Sequence, residues 1–276
     1  MVCYPRLLLL LIGGLAHMGR CFLNGPAAAA VYTRQHQGRK AAARHRRRHV
    51  PLFNKAAASR TPHTAAAAGQ AVPQPLFIAV LRDMQLERAG EVARALYRGG
   101  FRMLSVTTNT PNFTKILQSI ATAADTGLTG LTVGASSVCS EKEVDMAFAC
   151  RAKFISSTFC DISVVRRTKE RGLISIPGVS TCAQALEAVQ AGGDVLKAFP
   201  SESVSTSEFR NIVDLVPSTT PVIISGGVEV DQLEAYFDSG ASGFAVGRTL
   251  FEPEMTVAEI EAKARCFISG GRIQIG

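Results

Sequence analysis

Residues Leu173–Pro200 read LISIPGVSTCAQALEAVQAGGDVLKAFP. They contain one complete turn of the pattern that decides the fold. A short apolar run, Leu173–Ile176, stops at Pro177–Gly178. An amphipathic stretch follows over Cys182–Ala191, with Ala185, Ala188 and Val189 at i, i+3 and i+4 and Glu187 and Gln190 off that stripe. Gly192–Gly193 supply the C-terminal stop that glycine makes well, and a second apolar run, Val195–Ala198, begins at once. Strand, helix, strand in one short stretch predicts a β/α/β unit with parallel strands.

The same unit recurs outward in both directions. The predicted strands are Leu76–Leu81, Met103–Thr107, Thr129–Gly134, Phe154–Ser157, Leu173–Ile176, Val195–Ala198, Val222–Ser225 and Gly243–Val246. Each is followed by a predicted helix: Leu86–Arg98, Asn112–Ala124, Glu141–Cys150, Ile162–Arg171, Cys182–Ala191, Ser207–Val216, Val230–Ser239 and Val257–Ile268. Ser140 ahead of Glu141 and Glu143 is a helix N-cap signal. The strand runs are continuously apolar, as in a parallel sheet buried on both faces. Eight consecutive units over residues 75–276 predict an α/β fold, the (β/α)8 TIM barrel. The rival is an open doubly wound sheet, which favours a GxGxxG loop after its first strand; Arg82-Asp83-Met84 is nothing like one.

The net charge of +8 suggests a nucleic-acid binder until its distribution is examined. Eleven of the 30 Lys/Arg and none of the 22 Asp/Glu lie in residues 1–74, so residues 75–276 carry 19 basic against 22 acidic side chains, a net of −3. Residues 1–21 resemble a signal peptide: Arg6 precedes an apolar run, LLLLLIGGLA over Leu7–Ala16, which is too short to span a membrane. Residues 22–74 are rich in Ala, Arg and His and free of acids, as organelle transit peptides are. A disordered targeting leader is the reading. Its two parts in series resemble the bipartite leaders of complex plastids, and Phe22 is similar to the phenylalanine often found after the first cleavage point. Plain secretion and mitochondrial import remain as alternatives. A nucleic-acid arm over Arg39–Arg48 is a rival that removal of the leader would make irrelevant. No membrane or nucleic-acid partner is expected for residues 75–276. The seven cysteines show no CxxC pair and no zinc-like spacing, which reads as buried small hydrophobes.

In a (β/α)8 barrel the chemistry sits at the C-terminal ends of the strands. Lys197, in the otherwise apolar VLKAFP, is the outstanding residue there. Burying an ammonium costs several kcal/mol unless it is paired or its pKa falls. A lysine that is partly neutral attacks carbonyl carbon to form an imine; a lysine that snorkels to solvent or pairs with a carboxylate fits the residue equally well. Ser225-Gly226-Gly227 after strand 7 and Gly247-Arg248-Thr249 after strand 8 occupy the usual phosphate-loop positions of such barrels. Their glycines let backbone N–H groups approach phosphate oxygens, and Arg248 adds a charged fork. Arg82, ending strand 1, could hold a carboxylate, or simply be a solvated loop arginine.

Taken together, Lys197-Ala198-Phe199-Pro200-Ser201-Glu202, Ile176-Pro177-Gly178-Val179-Ser180-Thr181 and Ser225-Gly226-Gly227-Val228 resemble the 2-keto-3-deoxy-6-phosphogluconate (KDPG) aldolases. Ala79-Val80-Leu81-Arg82 and Asn109-Thr110-Pro111 are similar to the sister 2-dehydro-3-deoxy-6-phosphogalactonate aldolases. The resemblance spans Leu76–Phe267. It implies a (β/α)8 barrel, a homotrimer, no metal and no cofactor. It also implies a class I aldolase that cleaves a 6-phosphorylated 2-keto-3-deoxy sugar acid to pyruvate and glyceraldehyde 3-phosphate, with Lys197 forming the imine. The substrate-binding positions it implies are Arg82, Ser105, Asn109, Ser137, Pro177, Ser225, Gly226, Gly227, Gly247 and Arg248. The chain also departs from the family. The general acid/base Glu of strand 2 is replaced by Ser105, and no carboxylate lies in Arg102–Ala124. The usual GAGTV of strand 3 is Gly134-Ala135-Ser136-Ser137-Val138, strand 4 ends Ser157-Thr158 instead of Ser-Pro or Thr-Pro, and a strand-8 serine has become Arg248. Losing a positioned acid/base typically costs about 10²–10⁴-fold in rate. A water, Ser105 or Glu202 would have to substitute; otherwise the chain is an impaired aldolase-like barrel with a binding or structural role.

Overall fold

The computed structural model describes residues 75–273; both leader segments, 1–21 and 22–74, lie outside them. Eight β/α units follow one another. The strands are β1 Leu76–Leu81, β2 Met103–Thr107, β3 Thr132–Ser136, β4 Phe154–Ser156, β5 in two pieces (Ile174–Ile176 and Gly178–Val179), β6 Leu196–Ala198, β7 Val222–Ser225 and β8 Gly243–Val246. The helices are α1 Ala89–Arg98, α2 Phe113–Gly127, α3 Glu141–Ala149, α4 Ile162–Glu170, α5 Cys182–Gln190, α6 Thr206–Leu215, α7 Leu233–Asp238 and α8 Val257–Ile273.

All strand pairs are parallel. From the first piece of β5 the sheet runs β4, β3, β2, β1, β8, β7, β6 and ends on the second piece of β5. The two free ends are therefore consecutive in the chain, on either side of Pro177. Proline has no N–H for a ladder bond, yet its carbonyl accepts from the Lys197 amide at 3.0 Å. The barrel closes across this one residue, which sets the break in β5 opposite β6.

Continuous apolar strands split into two cores because successive side chains alternate in direction. Leu76, Ile78, Met103, Phe154, Ile174, Ile176, Val195, Ile223 and Ala245 fill the barrel interior. Their neighbours, among them Phe77, Leu104, Val133, Ile155, Leu196, Ile224 and Phe244, pack outward against the helices. Gly134 leaves room for this filling: a Cβ there would lie 2.4 Å from the Phe154 carbonyl oxygen and 2.6 Å from its ring.

Several boundaries differ from the sequence reading. β3 starts at Thr132 instead of Thr129, because α2 continues to Gly127 and a turn with Gly130 at φ +79° intervenes. The helices expected from Leu86 and Val230 begin as 3₁₀ turns, Leu86–Arg88 and Val230–Gln232, and α8 runs on past Ile268. Ser140 does cap α3, accepting from the Glu143 amide at 3.3 Å, while the Glu143 carboxylate reaches back to the Cys139 amide. A full capping box at α6, Ser205 with Glu208, went unread. The expectation of buried thiols holds for Cys150 alone among the described cysteines. Cys139 and Cys266 are exposed, whereas Cys160 and Cys182 are partly exposed and pack against the edge of the core.

Gly134→Ala forces its new methyl onto backbone and ring, an overpacking that costs about 1–3 kcal/mol. Gly127→Ala, with nothing within 4 Å of the added carbon, stabilises the end of α2 by up to about 1 kcal/mol. Urea midpoints separate the two; a Gly134→Ala midpoint at or above wild type would refute the packing assignment.

Candidate active site

The interior of the barrel is apolar through its lower layers and polar only at its C-terminal end. Following each inward side chain two residues along the strand gives the upper layer: Ser105 and Thr107 above Met103, Ser136 above Gly134, Ser156 above Phe154, Lys197 above Val195 and Ser225 above Ile223. All six are buried, and none is a carboxylate.

Lys197 is 7% exposed. Its Nζ donates to Ser156 Oγ at 2.9 Å and lies 5.6 Å from the centre of the Phe199 ring, within the range of a cation–π contact. No ion pair reaches it among the described residues. Burial alone pushes the amine down from 10.5 to about 8, because the low-dielectric interior disfavours the charged form. At pH 7 that leaves about 300-fold more free amine than an ordinary lysine offers.

The remaining hydroxyls of this layer are committed elsewhere. Ser136 Oγ donates to Ser105 Oγ, and Ser105 Oγ to the Ala79 carbonyl at 3.4 Å. Ser225 Oγ donates to the Ala245 carbonyl at 2.9 Å. The Thr107 and Thr110 hydroxyls are hydrogen-bonded to each other at 2.8 Å, and Thr110 accepts from the Asp83 amide at 3.1 Å. That last bond fastens the loop after β1 to the loop after β2, and so fixes the turn that carries Arg82.

Around the mouth, charged and polar groups stand without partners. Arg82 is half-buried, and Asn109 and Arg248 are exposed. These three and Gly227 make no hydrogen bond among the described residues. Gly226 (φ +101°) and Gly227 (φ +54°) adopt the left-handed conformations that glycine tolerates. Thr249 Oγ1 donates to the Val228 carbonyl at 2.9 Å, tying the two glycine loops together. Ser201 Oγ donates to the Gly226 carbonyl. The Glu202 carboxylate lies against this loop: a Cβ on Gly227 would sit 2.4 Å from Glu202 Oε1. Pro177 is buried at the closure point, and Ser137, at φ +58°, stands past the end of β3 with its carbonyl accepting from Thr108 Oγ1 at 3.0 Å.

The structure thus brings together Lys197 and a hydroxyl layer, with Arg82, Asn109, Gly226, Gly227, Gly247 and Arg248 on the rim above. Ser105 is in the layer but hydrogen-bonded away from the amine, and the buried hydroxyl of β3 is Ser136, one residue before Ser137. The contact to Nζ, Ser156, was missed. Counting two residues on from Phe154, in phase with Lys197, would have found it.

The chain is similar to known proteins over most of its described length. The family model described as KDPG and KHG aldolase matches residues 71–264. A probable 2-dehydro-3-deoxy-6-phosphogalactonate aldolase of Rhizobium meliloti (strain 1021) is 28% identical over 188 residues, 68% of this chain and 87% of the relative. The 2-dehydro-3-deoxy-6-phosphogalactonate aldolase of Escherichia coli (strain K12) is 27% identical over 197 residues, 71% of this chain and 94% of the relative. A solved structure titled "Native KDPGal structure" superposes with a TM-score of 0.69 at 25% identity, covering 72% of this chain and 95% of its own.

The lysine leaves a pH signature on stability. Its folded pKa of about 8 lies below the unfolded value of 10.5, so the unfolded chain holds the proton more tightly. The destabilisation is full below about pH 8 and disappears as pH rises through 10.5. Lys197→Met is therefore expected to be more stable than wild type at pH 7, by at most on the order of 3 kcal/mol, with the gap shrinking toward pH 10. Urea unfolding at the two pH values measures it; a gap that does not shrink with pH would contradict a desolvated amine.

Proposed function

The chain belongs to the KDPG and KHG aldolase family, and from that premise we propose that it is a class I aldolase acting through Lys197. The reaction is cleavage of a 6-phosphorylated 2-keto-3-deoxy sugar acid to pyruvate and glyceraldehyde 3-phosphate. The observation that carries this reading is the buried amine, unpaired by any carboxylate of the described residues and pushed down to about 8 by burial. A neutral amine at pH 7 adds to the C2 carbonyl, and loss of water gives an imine. As C3–C4 breaks, the C4 hydroxyl gives its proton to solvent and becomes the carbonyl of glyceraldehyde 3-phosphate, while the protonated imine withdraws the electron pair released onto C3; protonation at C3 and hydrolysis then free pyruvate and the lysine.

The rim supports the substrate class. A phosphorylated keto acid carries a carboxylate at one end and a phosphate at the other. Arg82, after β1, has a guanidinium suited to fork to the carboxylate, and Asn109, after the adjacent β2, adds an amide. Gly226, Gly227, Gly247 and Arg248 offer backbone amides and a guanidinium to the phosphate, which suits charge-assisted hydrogen bonding to oxyanions. The curated relatives of high coverage named as phosphogalactonate aldolases favour the galactonate epimer over the gluconate.

We further propose that the barrel assembles with copies of itself. Met146 and Phe148 on α3, Phe159 ahead of α4 and Leu186 on α5 expose apolar surface along three successive units, and Phe148 and Phe159 are the kind of anchors that interfaces bury. Light scattering on the purified chain is expected to give a trimer and Phe159→Asp a smaller species. A monomeric wild type would remove this proposal.

Borohydride reduction in the presence of pyruvate is expected to fix a covalent adduct on Lys197, and Lys197→Ala to give none. The trapping rate should climb with pH and level off above about 8, as the amine loses its proton. Turnover of the two epimeric phospho-acids then ranks the substrates. An adduct that persists in Lys197→Ala, or a wild type that forms none, would refute the assignment.

A further inference from the structure

The departure at position 105 leaves open what moves protons at the amine, and the hydrogen bonds of the upper layer answer it. We infer that Ser156, and not Ser105, carries the proton between nitrogen and oxygen when the Lys197 amine adds to the substrate carbonyl. This rests on the imine-forming reading of Lys197 and adds to it the residue that serves the step.

Three observations converge on Ser156. Its Oγ is the polar atom bonded to Nζ, at 2.9 Å. In its protonated form Lys197 can only donate, so Ser156 accepts there, and the serine's own proton finds no other acceptor among the described residues. The other serines of the layer donate elsewhere, Ser136 to Ser105, Ser105 to the Ala79 carbonyl and Ser225 to the Ala245 carbonyl, and Thr107 is paired with Thr110 and not with Nζ. Finally, no Asp or Glu is among the buried polar residues, so no carboxylate competes for the role inside the barrel.

A serine has a weak acid and a weak base on one atom, which suits a relay in which it gives and takes at once. The amine's lone pair forms the N–C2 bond, and the carbonyl π pair moves onto oxygen. This leaves a positive nitrogen still bearing the transferable proton and a negative oxygen. The nitrogen's proton passes to Ser156 Oγ as the serine's own proton passes to the alkoxide. One proton has moved from nitrogen to oxygen, the serine is regenerated, and the carbinolamine is neutral. Addition of one solvent proton and departure of water then give the protonated imine. No free serine alkoxide or protonated serine need form, so the ordinary acidity of the hydroxyl is no obstacle. Ser105, whose proton points to the Ala79 carbonyl and away from the amine, has no part in it.

The test is the time course of adduct formation with pyruvate, quenched at intervals by borohydride, for the full chain and for Ser156→Ala and Ser156→Thr. Ser156→Ala is expected to slow the adduct by about 10²-fold or more while reaching the same final amount, because a relay changes the rate and not the equilibrium. Ser156→Thr keeps a hydroxyl and is expected to regain most of the rate. A wild-type rate in Ser156→Ala overturns the inference, and so does a threonine variant as slow as the alanine one. A final amount that falls in step with the rate also overturns it, by showing that the side chain merely shapes the site. A wild type that forms no adduct overturns the imine reading itself and this inference with it, and that result is seen before any variant is made.

Discussion

An ammonium group in an apolar barrel must be paired, hydrated or deprotonated, and Lys197 is buried with no ion pair among the described residues. The layers beneath it are Val195, Phe154, Ile174, Ile176 and Ile223, which offer nothing polar. Among the described residues no Asp or Glu is buried beside it. What remains is one hydroxyl, Ser156, and the face of Phe199. Neither neutralises a charge. The amine therefore gives up much of its affinity for a proton, and the reactivity of the site follows from the hydrophobic filling of the barrel as much as from the residues at its mouth.

That filling also fixes direction. Parallel pairing brings every strand's C-terminal end to the same face, and Gly134 lets Phe154 occupy the axis below the polar layer. The loops above are then coupled in pairs. The Asp83 amide is held by Thr110, joining the first two units. Thr249 is bonded to the Val228 carbonyl, joining the last two. The groups suited to anions, Arg82, Asn109, Gly227 and Arg248, have no partners among the described residues and stand on these tied supports. Donors so held need little reorganisation when a substrate arrives, which is how preorganised sites gain strength.

Much of this was legible in the sequence, because the strands of a parallel barrel announce themselves as separate apolar runs punctuated by Gly and Pro. The strand containing Lys197 and the two glycine loops were readable for that reason. What escaped depended on direction or on partners. The 3₁₀ starts at Leu86 and Val230 and the extension of α2 to Gly127 are tertiary choices that propensity does not settle. Ser136 and Ser156 escaped because a serine in a strand carries no signal until its neighbour two residues away is known to face inward. Lys197 fixes that phase for β6, and the register of the sheet carries it to β7 and, across Pro177, to β5. Ser105 was placed at the right level, yet which way its proton points is a property of the fold.

Replacing a carboxylate with hydroxyls in this setting has two consequences of opposite sign. A Glu near the amine would serve as acid and base, but its negative charge would also favour the protonated, unreactive lysine. Hydroxyls forfeit the strong base and leave the amine's pKa to burial alone, so more of it is nucleophilic at neutral pH. The proton transfers that remain must run between groups on the reacting atoms themselves, and a hydroxyl bonded to Nζ with an uncommitted proton is suited to that. With Ser105 where the family resemblance implies a Glu, the proposed relay leaves the work to a desolvated amine and its neighbour Ser156. Loss of the carboxylate is not in itself loss of the chemistry.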